Sequence, residues 1–244
     1  MEDIWFEEEL IPSQVTVSET IKSLPRAGGD SLNEAEIQNA TRGVLRYSKP
    51  RWGELDAKTS KLLSSSANSR FVLVRFGFEF DLSREGRESG SRFTYARCAA
   101  YLWGVDENQP QPSVYDVLPK DLYEGEPQKV KVKVGAEIKL GAMDVELGEV
   151  STDFTVGYVE PVVVGWPGEG GREPYWELRP QSKSLLGVRY LWAIIEIPEG
   201  CADVQLAVQS EAEVTTPLFR PIIIAPKTRE WASRPREVLG LIKV

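Results

Sequence analysis

The sequence predicts an all-β protein, mainly an antiparallel β-sandwich, with a short N-terminal helical segment. Two observations carry this expectation. Val130, Val132, Val134, Ala136, Ile138 and Leu140 stand at every second position with charged or small residues between them, and period two marks a strand with one buried face. From residue 71 onward, apolar runs follow one another between Gly, Pro and Asp clusters. That spacing suits a sandwich or, as the nearest alternative, a barrel. A chain of 244 residues that is 41% hydrophobic can bury a substantial core.

Three regions divide the chain. Residues 1–70 are expected to hold an acidic tail, a short helix and a linker. Ser31 and Asn33 precede the acidic Glu34 and Glu36, and Ile37, Ala40, Val44 and Leu45 follow at helical spacing. This predicts a helix near 33–46. Residues 60–69, rich in serine, are expected to form an exposed connection. Residues 71–216 are the β domain. Strands are expected at 71–80 and 92–103, paired as a hairpin across the loop 81–91, then over 129–158, 159–166, 175–179, 188–197 and 204–214. Residues 191–197 are almost continuously apolar, as in a strand buried on both faces. Residues 217–244 carry Pro217, Pro221, Pro226 and Pro235. They are expected to lack a regular central strand and to pack on the domain or on a partner.

The segment 129–158 predicts its own pairing. Gly141-Ala142 fits a two-residue type II′ turn, which sets Leu140 opposite Met143, Ile138 opposite Val145 and Ala136 opposite Leu147. Lys139 faces Asp144 favourably, whereas Glu137 meets Glu146. The apolar positions change parity at Gly148, a mark of a β-bulge. Beyond it, Val134 meets Val150, Val130 meets Phe154, and Lys131 meets Asp153.

Composition narrows the function. There is no histidine, and the net charge of −8, with a pI near 4.9, argues against a nucleic-acid partner. The N-terminus lacks the pattern of a signal peptide. With two widely spaced cysteines, Cys98 and Cys201, this leads to an expected cytoplasmic location. A Cys98–Cys201 disulfide is the alternative for an exported protein. The glycine-rich run 165–171 lacks the Lys-Ser/Thr ending of a phosphate-binding loop and reads as a hairpin loop. No catalytic, cofactor-binding or metal-ligating residues are predicted. A pair of carboxylates for glycoside hydrolysis cannot be picked out from 37 acidic residues.

The expected function is therefore that of a non-enzymatic interaction module, working through another protein or self-association. Trp5, Phe6, Trp166, Tyr175 and Trp176 are the candidate contact residues. One alternative is a membrane-active, pore-forming β protein that inserts the amphipathic hairpin, whose apolar face comprises Val130, Val132, Val134, Ile138, Leu140, Val145 and Leu147. A carbohydrate-binding or carbohydrate-cleaving sandwich is the other. The acidic first ten residues and the basic residues 217–244 are expected either to meet, within one molecule or between molecules, or to form two independently solvated tails.

Overall fold

The computed structural model describes residues 4–12, 14–23, 33–55, 63, 69–118, 121–122, 130–133, 153–156, 162–168, 171–180, 185–217, 219–226 and 234–239. Among these residues all strand pairings are antiparallel, in one twelve-stranded and one two-stranded sheet. The strands are β1 (Ile4–Pro12), β2 (Gly43–Glu54), β3 (Arg70–Leu82), β4 (Arg92–Gly104), β5 (Ser113–Leu118), β6 (Asp121–Leu122), β7 (Val130–Lys133), β8 (Asp153–Val156), β9 (Val162–Trp166), β10 (Tyr175–Arg179), β11 (Gly187–Ile197), β12 (Val204–Thr216), β13 (Phe219–Pro226) and β14 (Glu237–Leu239). The large sheet runs β5-β11-β3-β2-β1-β13-β12-β4-β10-β9-β6, with β14 beside β12. The all-β expectation holds. One long sheet bends until its halves face each other, so sandwich and nearly closed barrel describe the same object.

Strands β3, β4, β9, β10, β11 and β12 lie where alternation and apolar runs place them. Their neighbours differ from the expectation in one respect. β3 and β4 do not form a hairpin: β3 pairs with β2 and β11, whereas β4 pairs with β10 and β12. The chain between them forms a short helix, α3 (Arg84–Glu88), whose N-terminus is capped by the Ser83 hydroxyl accepting from Gly86 N–H at 3.0 Å. The two strands instead face each other across the core, where the Phe80 and Phe93 rings lie 5.7 Å apart.

Two helices precede β2. These are α1 (Gln14–Ser23) and α2 (Glu34–Thr41). Asn33 caps α2 as expected: its side chain accepts from Glu36 N–H, and the Glu36 carboxylate accepts from Asn33 N–H. Ile37 and Ala40 are buried. The helix ends at Thr41 and not near 46, because Arg42 turns extended and Gly43 begins β2. Val44 and Leu45 thus belong to a strand flanked on both sides, by β1 and β3.

Strands also lie on both sides of residues 70 and 216, since β1, β2, β13 and β14 join the same sheet. β13 corrects the expectation that prolines keep regular strands out of the C-terminal segment. It lies between β1 and β12, and Pro221 falls at the register shift after Val214↔Ile222, where no regular ladder bond is required. Pro50 in β2 falls at the shift between Ser48 and Arg51 in the same way.

Cys98 and Cys201 are both free and buried, so no bridge joins them. Desolvation pushes the Cys98 thiol up to about 12. The Tyr95 phenol also rises to about 12, through desolvation first and the Glu177 charge second. Both groups hold their protons more tightly folded than unfolded. Their contribution to stability is complete below pH 9 and is lost as pH rises from there toward 12. Urea midpoints should therefore fall through the alkaline range, with the earliest part of the fall smaller in Cys98→Ala, where Cys201, also raised by burial, still contributes. A midpoint that stays level or rises would contradict this assignment.

Candidate functional site

Strands β6 to β9 form the part of the fold with the most distinctive geometry. β6 and β9 pair at the edge of the large sheet, with Asp121↔Val164 and Leu122↔Val163. Among the described residues, β7 and β8 pair only with each other. Their register is Val130↔Val156, Lys131↔Thr155, Val132↔Phe154 and Lys133↔Asp153. A ladder continued without interruption from β6–β9 would set Val130 opposite Thr155. The observed partner is one residue further on, so the two ladders differ in register by a single residue.

Residues 130–133 and 153–156 pair as antiparallel strands, in agreement with the sequence, but their register is corrected by two residues. Val130 meets Val156 and not Phe154, and Lys133, not Lys131, meets Asp153. Alternation defines the apolar face, and a slip of two preserves that face. Apolar residues remain opposite apolar residues, so periodicity alone could not choose between the registers. Val134, Ile138, Leu140, Val145 and Leu147, the Gly141-Ala142 turn and the bulge near Gly148 lie outside the described residues.

The five candidate contact aromatics separate into two groups. Trp5 and Phe6 sit in β1 and pack partly buried against the core. Phe6 stacks on the buried Tyr47 ring at 4.3 Å, and Trp5 meets Phe6 edge-on at 4.9 Å. Burial is the largest influence on the Tyr47 phenol and raises it well above its ordinary value. Trp176 is fully buried, its ring 5.7 Å from that of Phe76. Trp166 is instead 55% exposed and stands directly opposite Tyr175 in the β9–β10 ladder. Trp166, Tyr175 and Trp176 therefore do not form one platform: pleating sends Trp176 inward and its neighbour Tyr175 outward.

The outward group continues onto β4 through residues that sequence reasoning left unmarked. Arg97 lies 4.4 Å over the Tyr175 ring, and Arg179 lies 5.2 Å over Tyr95. Tyr101 and Trp103 lie 5.3 Å apart, with Arg236 5.0 Å over Trp103. Alternation was their signal: Tyr95, Arg97, Ala99, Tyr101 and Trp103 occupy every second position of one strand. The glycine-rich run after β9 turns back into β10. Gly168 adopts φ +82°, and a Cβ there would lie 2.1 Å from the Glu173 carbonyl oxygen, so only glycine fits.

Among the described residues no group of three His, Cys, Asp or Glu side chains is placed to hold a metal ion, and no helix is long and apolar enough to cross a membrane. No model of a known protein family matches the chain, and no curated protein matches it. Similar solved structures exist. Clostridium perfringens delta-toxin matches over 81% of this chain and 82% of its own, at 10% identity and a TM-score of 0.38. The Clostridium perfringens NetB toxin in its membrane-inserted form matches over 81% and 89%, at 8% identity and a TM-score of 0.32. A structure described as a pore forming protein matches over 81% and 90%, at 7% identity and a TM-score of 0.41. At these values the likeness extends to a β-rich fold and no further.

Proposed function

We propose that this chain is a non-enzymatic, membrane-active β protein that inserts residues 129–158 as an amphipathic hairpin and self-associates to close a barrel. The observation that carries this reading is the separate β7–β8 ladder, which leaves the large sheet at β6–β9 and differs from that ladder in register by one residue. A ladder that, among the described residues, is separate from the large sheet can be extended without unfolding the core. Residues 130–140 alternate over eleven positions, and a tilted strand of about 9–11 residues crosses a bilayer. Apolar positions would face lipid, with Lys and Glu facing the lumen. One hairpin leaves two unpaired edges, which lipid does not tolerate, so closure requires further copies. Contact with another protein through the candidate aromatics draws less support, because Trp5, Phe6 and Trp176 are engaged within the molecule itself.

Dye release from liposomes, measured before and after limited proteolysis, tests this proposal. The wild-type chain should release dye in at least one of the two conditions. Val132→Arg or Ile138→Arg should lower release at least tenfold. An arginine on the lipid face costs about 2–4 kcal/mol at mid-bilayer, and the cost recurs in every copy. The soluble protein's circular dichroism should be unchanged by either substitution. Lys131→Gln and Lys139→Gln should retain release. No release in either condition, or full release by both arginine variants, would overturn the proposal.

A further inference from the structure

We infer that the outer face of β9, β10 and β4 is a binding site for a neutral saccharide chain, centred on Trp166 and Tyr175. The inference goes beyond the membrane reading and does not depend on it. Trp166 and Tyr175 are cross-strand neighbours, and the next residue along the same row is Ala99 in β4, followed by Gln209 in β12. Trp166 is the exposed end of this row, and Ala99, next to Tyr175 on the other side, is small and buried. An indole with an open face stacks on the C–H face of a pyranose through the same apolar and quadrupolar attraction that favours aromatic pairs.

The polar groups around this row suit hydroxyls. Arg97 is held over Tyr175, and its Nε is buried without a hydrogen-bond partner among the described residues. The Gln209 Oε1 is likewise buried without one. Buried polar atoms in folded proteins are almost always satisfied, so a donor and an acceptor left open beside one row require an explanation. Both belong to long side chains that can turn toward a ligand laid along it, and a sugar hydroxyl both donates and accepts.

Charge selects the class of ligand. Arg97, Arg179 and Arg236 on this face are matched by Glu177, Glu211 and Glu213. Arg97 lies opposite Glu177 on one side and Glu211 on the other, and Arg179 pairs with Glu177 at 3.0 Å. A face neutralised from within exerts little pull on a polyanion or an anionic headgroup. A protein interface would instead be depleted of charge at its centre. An exposed indole beside a half-buried phenol, within a neutral rim of donors and acceptors, matches an uncharged glycan.

The test is a glycan array carrying neutral oligosaccharides of glucose, galactose, mannose and N-acetylglucosamine alongside sialylated and sulfated chains. Titration of tryptophan fluorescence follows with the best neutral ligand. The full-length chain should bind at least one neutral glycan. Trp166→Ala and Tyr175→Ala should each weaken that binding at least tenfold, while Trp166→Phe, which keeps a stacking ring, retains most of it. Unchanged circular dichroism separates lost binding from lost folding. Dye release from glycan-free liposomes is scored independently, so failure of this site and failure of the membrane reading are distinguishable. No neutral glycan bound, binding confined to charged glycans, or full binding by both alanine variants would overturn the inference.

Discussion

Replacing Glu8 with alanine should lower the stability of the fold by about 3–5 kcal/mol, the usual cost of removing one partner of a buried ion pair. Glu8 in β1 accepts a hydrogen bond from Arg234 Nη1, and the Arg234 side chain is only 1% exposed. The Tyr47 hydroxyl lies 3.5 Å from the same nitrogen. Without the carboxylate, the buried guanidinium loses this charged acceptor while staying inside. Glu8→Ala combined with Arg234→Met should regain most of the loss, because an apolar side chain of similar length occupies the space without a charge to desolvate. Glu88→Ala provides the contrast: its pair with Arg84 is exposed on both sides and is worth about 0–1 kcal/mol. Urea denaturation of the four proteins decides the matter. A loss below about 1 kcal/mol in Glu8→Ala would place the pair among ordinary surface contacts. The pair also shows how the acidic N-terminal region meets the basic C-terminal one: the contact lies within one molecule.

The second large effect separates two tryptophans that the sequence places ten residues apart beside the same loop. Trp176→Ala should cost about 3–5 kcal/mol, since it empties a fully buried indole site in the core against Phe76. Trp166→Ala should change stability by no more than about 0.5 kcal/mol, because the side chain is 55% exposed. Trp176→Phe should cost less than Trp176→Ala. It keeps a ring in the core and removes an indole N–H that is buried without a partner among the described residues. Thermal unfolding of the three variants measures this, and equal losses in Trp166→Ala and Trp176→Ala would contradict the division of the aromatic group.

Much of the fold was legible because period two is a local property. β3, β4, β11 and β12 carry their apolar residues at alternate positions or in continuous runs, and they form where those patterns lie. β1 was not legible. Glu7, Glu8 and Glu9 suggest a solvated tail, yet each has an arginine partner, Arg46, Arg234 and Arg42 respectively. Those partners lie from about thirty to more than two hundred residues away, and no local pattern can reveal them. Of the candidate site, the aromatic residues were identifiable by type, and the strand pleat already implied that Tyr175 and Trp176 point apart. The accompanying arginines were less visible, since their role depends on which strands become neighbours.

The sequence by itself determined the β class, the cap of α2, the faces of the strands and the antiparallel pairing of residues 130–133 with 153–156, because each follows from local patterns in the chain. The tertiary structure alone decided that β3 and β4 face each other across the core, that a proline-bearing β13 lies inside the sheet, and that Val130 meets Val156 and not Phe154. Alternation states which side of a strand is buried but carries no information about its partner, and a slip of two residues leaves that side unchanged. Partner and register are settled by packing and charge pairing between segments far apart in the chain.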